Sequence, residues 1–344
     1  GTAMTLAAPV RVLSIDGGGM RGYIPALVLA ELERRLGVPL RSTVDLVVGT
    51  STGAILAIGL AAGMSAEDLA GFYPKHGRTI FGGVERSVWE RRIWGDGKNL
   101  WDSLDRSARN IGGPFGGNAN FGGNARHRPD GLEQVLQAVL GDRRLSDLDM
   151  PLAVTTFDAN VALPVVLTSS DAKLDPRFDL PLWQAARATS AAPTYFPPFE
   201  VDWAGQRRSF VDGGVWANNP AGVAIVESLA LTSARGLTGT SVVMVSLGTG
   251  VAPPGVLFDA DASWLGSARD LAGLATSVWA GEVLARRAVH GGSFHRLQIQ
   301  DARVAGAMDD PSEARLDQLR KAAQALIVNQ SDALDAAVVG LRSA

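Results

Sequence analysis

Three short segments hold the residues whose types and spacing could do chemistry. Gly49-Thr50-Ser51-Thr52-Gly53 is a G-x-S-x-G placed where a β-branched run meets a small apolar stretch. A nucleophilic serine needs a tight turn that lifts its hydroxyl off the sheet, small neighbours that permit the turn, and a helix N-terminus that favours negative charge. Ser51 has all three; the pentapeptide alone would also suit an ordinary Gly/Ser turn, so its context carries the functional reading. Asp16-Gly17-Gly18-Gly19-Met20-Arg21-Gly22 likewise follows a strand and precedes a helix. Gly17, Gly19 and Gly22 fit the G-x-G-x-x-G dinucleotide fingerprint, which expects an acidic residue about 20 positions on, at the end of the next strand. The nearest, Asp45, opens that strand instead. Consecutive glycines also free several backbone N–H groups to face one anion, as an oxyanion hole requires. That reading is preferred, with Gly18, Gly19 and the Thr52 N–H as donors and Arg21 as a nearby positive charge or structural anchor.

A serine needs a base, and none of the four histidines, His76, His127, His290 and His295, sits in a motif. The third segment, Phe210 to Pro220, carries Asp212 at the end of a short strand, followed by Gly213 and Gly214. A carboxylate of ordinary pKa is a weak base toward a hydroxyl, so a Ser51–Asp212 dyad requires apolar surroundings that raise the Asp212 pKa. Phe210 and Trp216 are candidates to supply them. Taken alone, Asp212 could equally cap a turn.

The elements that must position these groups alternate short β-branched runs with amphipathic stretches, the pattern of a parallel sheet covered by helices. Strands are expected at Val10 to Ile15, Val44 to Val48, Leu152 to Phe157, Pro164 to Thr168, Ser209 to Val211, Ser241 to Ser246 and Phe294 to Gln300. Ile24, Val28, Leu32 and Leu36 recur at helical spacing, with Pro25 tolerable in the first turn. Ala54 to Gly63 reads as a buried helix ending at a glycine. Further helices are expected around Leu132 to Val139, Leu271 to Arg287 and Ala314 to Ile327. Gly112 to Gly123, with six glycines, breaks the rhythm and suits a surface loop or an active-site lid. Just before it, Trp89, Trp94 and Trp101 interleave with Arg86, Arg91, Arg92 and Lys98, a composition suited to a lipid headgroup boundary or to a cap packed on the core.

Together, D-G-G-G-x-R-G, G-x-S-x-G and D-G-G in this order resemble the patatin-like phospholipase family. The resemblance runs from about Val12 to about Val328. It includes Ala185 to Pro197, similar to the family's pocket-lining segment, and Leu247-Gly248-Thr249-Gly250. It implies a three-layer α/β/α sandwich with a mainly parallel sheet, Ser51 as nucleophile, Asp212 as base, and Gly17, Gly18 and Gly19 with Arg21 as the oxyanion site. The implied activity is hydrolysis of fatty acyl esters of glycerolipids or phospholipids through an acyl-enzyme, with no metal or organic cofactor.

The whole chain is consistent with this. Its 344 residues suit one catalytic domain, read as residues 5–344 with a cap or lid insertion over about 81–128. At 46% hydrophobic, 19% charged and a net charge of −3, it is an ordinary globule and no partner for nucleic acid. The absence of cysteine excludes disulfides and a thiolate nucleophile. No apolar run approaches the roughly 20 residues of a membrane span, and no secretory signal opens the sequence. The expected location is cytoplasmic, with peripheral membrane contact; the sequence sets no oligomeric state. Three alternatives stand beside this reading: a Ser51, Asp212, His290 or His295 triad of the α/β-hydrolase kind, a binding module with an idle site, and an effector phospholipase activated by a ligand.

Overall fold

A computed structural model describes residues 8–82, 127–193, 195–237, 240–252, 279–289 and 293–342. Both the Gly/Asn-rich segment and the Trp-rich stretch lie outside the described residues, as do nearly all of the insertion read at 81–128 and His290.

One eight-stranded sheet organises the chain, in the order β5-β6-β3-β2-β1-β7-β8 with β4 paired to β3. The strands are β1 (Val10–Ile15), β2 (Leu46–Thr50), β3 (Leu152–Asp158), β4 (Leu163–Thr168), β5 (Phe199–Trp203), β6 (Gln206–Asp212), β7 (Val242–Leu247) and β8 (Ser293–Leu297). Pairings among β1, β2, β3, β7 and β8 are parallel, whereas β4, β5 and β6 pair antiparallel. Successive strand residues face opposite sides of a sheet, and the core divides accordingly. Leu13, Ile15, Val47 and Val154 pack into a large cluster with helices α1 (Tyr23–Leu36), α2 (Thr52–Ala61) and α3 (Ala66–Phe81). Val10, Val12, Leu46 and Val48 join Ala221, Ala224 and Ala285 from two helices on the other face. This is the α/β/α sandwich with a mainly parallel sheet.

Most expected strands appear within two or three residues of their positions. β2 begins two residues later than Val44, because the Thr43 and Val44 N–H groups both donate to the Leu40 carbonyl, at 2.9 and 3.1 Å, and prolong a turn. The periodicity of the sequence predicts neither β5 nor helix α3. Helix α3 starts at a reciprocal cap in which the Asp68 N–H donates to Ser65 Oγ at 3.0 Å, and it carries Pro74 inside. The helix expected from Leu271 is described over Trp279–Ala288. Among the described residues no helix is long and apolar enough to cross a membrane.

Candidate active site

Register along β3 decides where the chemistry meets. β4 takes one edge of β3 from Ala153 to Asp158. The other edge is therefore shared by β2, opposite Leu152 to Thr155, and β6, opposite Thr156 to Asp158. β2 runs along that edge in one direction and ends at Thr50; β6 runs the opposite way and ends at Asp212. Ser51 follows Thr50 directly, so the two C-terminal ends face each other.

Ser51 has φ 54° and ψ −124° and precedes helix α2 as its N-cap residue. Such a left-handed backbone at a serine is strained and persists only where the surroundings enforce it. Here the Ser51 N–H donates to Thr189 Oγ1 at 2.8 Å, and Thr50 Oγ1 donates to the Ala217 carbonyl at 2.6 Å. Gly53 permits the close return of the chain: a Cβ there would lie 2.5 Å from the Asp16 carbonyl oxygen and nearer still to that of Ile15. Thr52 opens α2, so Ser51 sits at a helix N-terminus, where the helix dipole favours negative charge.

Asp212 lines the same cavity as Ser51. Burial pushes the Asp212 pKa up to about 6, opposed by the Ser51 hydroxyl beside it and by the Gly214 N–H, which donates to Oδ1 at 2.7 Å. Phe210, fully buried, lies on the same strand face as Asp212 and contributes to the desolvation. The Trp216 indole N–H donates to the carbonyl of Thr156, the residue paired with Asp212 in the sheet, at 2.8 Å.

The Gly-rich turn lies against Ser51, a Cβ on Gly17 falling 3.3 Å from that of Ser51. Gly17 differs from the sequence expectation: its N–H donates to the Asn218 carbonyl at 2.9 Å and is thereby engaged. The Gly18 and Gly19 N–H groups have no hydrogen-bond acceptor among the described residues. Thr249 Oγ1 donates to the Gly17 carbonyl at 2.9 Å, so the Leu247 to Gly250 segment braces the turn. Arg21 is largely buried at the cavity wall, its pKa lowered first by desolvation and then by the nearby Arg315 charge. Asp16 is fully buried and paired with Arg296, Oδ2 to Nη2 at 2.6 Å. Desolvation nevertheless leaves its pKa above the usual value. Asp45 sits at the opposite end of β1 and β2, where its carboxylate pairs with Arg11 at 3.0 Å, and meets no requirement of a ribose site.

Ser51, Asp212, Gly18, Gly19 and Arg21 open into one cavity of about 320 Å³. Its interior is apolar, walled by Ile55, Phe72, Tyr73, Ile80, Phe81, Leu132 and Phe196. Residues of the Ala185 to Pro197 segment line it, Ser190, Ala192, Pro193, Tyr195 and Phe196 among them. His295 lies on β8, three strands from β2, a separation of about 14 Å at ordinary strand spacing. Its side chain is therefore no partner for Ser51. Among the described residues no group of three or more His, Asp or Glu side chains could hold a metal ion.

Thr189, Asn218 and Arg296 were not singled out by sequence reasoning. Asn218 lies between Gly17 and Gly214, where a Cβ on either would meet its Oδ1 at 2.5 and 3.3 Å. The run Asn218-Asn219-Pro220 after Asp212 was the available signal. Arg296 had none, standing 280 residues from its partner Asp16.

The model of the family described as patatin-like phospholipase matches residues 13–225. Patatin-like protein 2 of Oryza sativa subsp. indica is 35% identical over 231 residues, 61% of this chain and 51% of that protein. Patatin-T5 of Solanum tuberosum is 31% identical over 278 residues, 72% of this chain and 62% of that protein. The chain thus spans about half to two thirds of the length of these relatives. Among solved structures, VipD from Legionella pneumophila aligns with 96% of this chain and 67% of its own, at 14% identity and a TM-score of 0.49. With a match over most of the first 225 residues, including all three glycine-flanked segments around the cavity, the chain belongs to the patatin-like phospholipase family.

Proposed function

We propose that this chain is a lipid acyl hydrolase of the phospholipase A or lysophospholipase type, acting on fatty acyl esters of glycerolipids through Ser51 and Asp212. The observation that carries the reading is a serine of strained backbone beside a buried carboxyl whose pKa is raised to about 6, both lining one apolar cavity. A base with a pKa near working pH combines the right protonation state with useful driving force.

In this reading Asp212 takes the Ser51 proton as Oγ attacks the ester carbonyl carbon. The carbonyl oxygen becomes an oxyanion, received by the Gly18, Gly19 and Thr52 N–H groups, while Gly17 holds the turn through Asn218 and Arg21 adds positive charge nearby. Collapse breaks the bond to the glyceryl oxygen, which leaves with the proton from Asp212. Water then attacks the acyl-enzyme with Asp212 again as base, and the fatty acid departs. The apolar walls favour an acyl chain, since burying its methylenes stabilises by about 0.8 kcal/mol each. The ester reaches the site from a lipid aggregate, so peripheral contact with a membrane surface is part of the reading.

The test is release of free fatty acid from phospholipid vesicles by the wild type, Ser51→Ala and Asp212→Asn, with folding checked by circular dichroism. Release lost in both folded variants is the expected result. Release surviving in Ser51→Ala would overturn the mechanism.

A further inference from the structure

One buried His–Asp hydrogen bond lies beside the cavity and takes no part in the chemistry above. His127 Nε2 and Asp309 Oδ2 are 2.7 Å apart, with both side chains almost completely buried. We propose that His127 and Asp309 are positioning residues, which hold the segment 305–309 against the oxyanion turn and so set the aim of the Gly18 and Gly19 N–H groups. The proposal rests on the hydrolase reading for its catalytic consequence.

Segment 305–309 has no regular structure of its own; Gly306 has φ +116°. Its start is held by Arg315, whose guanidinium donates to the carbonyls of Arg303, Val304 and Ala305, each at 2.8 Å. From there it reaches the catalytic turn through Met308. The Met20 N–H donates to the Met308 carbonyl at 2.7 Å, and Arg21 Nη2 lies 3.2 Å from Met308 Sδ. Gly19, at φ +58°, sits so close that a Cβ there would lie 2.5 Å from the Met308 oxygen. Met308 therefore touches Gly19, one of the two unengaged donors, and the two residues that follow it, Met20 and Arg21.

The next residue, Asp309, is tied to His127, and His127 is itself fixed. Its N–H donates to the Tyr195 carbonyl at 2.8 Å. Its ring stacks on Tyr195 at 7° between planes and meets Phe81 and Phe196 with centroids 5.6 and 5.7 Å apart. Those three aromatic residues wall the cavity. A hydrogen bond in a dry site is stronger than one in water. It therefore ties segment 305–309 to the aromatic wall of the cavity at a defined distance. Donors misplaced by a fraction of an ångström lose transition-state stabilisation while leaving ground-state binding of the chain intact.

The experiment uses the wild type, His127→Phe, His127→Gln and Asp309→Asn. Phenylalanine keeps the ring among its aromatic neighbours but removes the hydrogen bond; glutamine places an amide N–H near the position of Nε2. Hydrolysis of a soluble p-nitrophenyl acyl ester is followed together with hydrogen–deuterium exchange of peptides spanning 18–22 and 305–309. For His127→Phe the expected result is kcat lowered about tenfold with KM changed less than twofold, and faster exchange in both peptides. His127→Gln should restore both toward wild type. Asp309→Asn, which keeps an acceptor, should fall between. Unchanged kcat or unchanged exchange at 18–22 in folded His127→Phe would overturn the proposal, as would failure of glutamine to restore either. If the wild type hydrolyses no ester, the hydrolase reading fails, whereas the exchange data still decide whether the pair holds the turn.

Discussion

Ser51 and Asp212 meet because the strands that carry them run toward each other along one edge of β3, β2 stopping opposite Thr155 and β6 opposite Thr156. This arrangement places a serine at a helix N-terminus against a carboxyl that the same sheet buries.

The first prediction concerns pH. Burial raises the Asp212 pKa from 3.8 to about 6, so kcat/KM for ester hydrolysis should rise with pH through an acid limb near 6. The stability effect has the opposite sign. Because the folded-state value is the higher one, the native state binds more protons between the two pKa values, and stability is lost as pH rises from about 4 to about 6. Asp212→Asn should therefore abolish hydrolysis yet raise unfolding free energy above pH 6 by about 3 kcal/mol, with the gain vanishing at pH 4. Urea titrations at pH 4 and 7.5 measure this; equal effects at both would contradict it.

Ser51 adopts φ 54°, where glycine is at ease and other residues are strained. Ser51→Gly should be inactive but more stable than Ser51→Ala by about 1 kcal/mol. Thermal melts of the two variants make the comparison at constant loss of the hydroxyl.

Gly53→Ala would drive a methyl group into the Ile15 and Asp16 carbonyls, both backbone atoms of the strand and turn beneath the elbow. An expected loss of about 1–3 kcal/mol follows from overpacking, with hydrolysis reduced as the elbow shifts. Gly37 supplies the control: at φ +73° with nothing within 4 Å, its alanine variant should lose about 1 kcal/mol and no activity.

Asp16 and Arg296 form a pair with side chains 0% and 5% exposed. Removing one partner of a buried pair strands the other, so Arg296→Met should destabilise by about 3–5 kcal/mol. The double variant Arg296→Met, Asp16→Leu should recover part of the loss, a coupling that denaturant unfolding of the two variants would reveal.

The strands that build the site were legible because buried parallel strands read as short β-branched runs: β1 appears where Val10 to Ile15 placed it, and β3 within a residue. Helix α3 was harder, since Pro74 in its interior interrupts the usual signal. β5 was missed because only Val201 of its five residues is buried. The resemblance to patatin-like phospholipases rested on glycines whose spacing survives in sequence, because close backbone approaches at the turns admit little else.

By itself the sequence determined the family, the α/β class and the candidate pair Ser51 and Asp212, all carried by local patterns in which neighbouring residues constrain one another's backbone. Tertiary structure alone decided which amides stay unengaged. Gly17 loses its N–H to Asn218, Gly18 rests against Thr249 and Gly19 against Met308, and Asp16 finds Arg296 across 280 residues. Those outcomes depend on hydrogen bonds and burial between segments remote in the chain, and no local pattern encodes which distant donor or acceptor arrives. The same holds for the raised pKa of Asp212, which is a property of the packed surroundings and not of the residue.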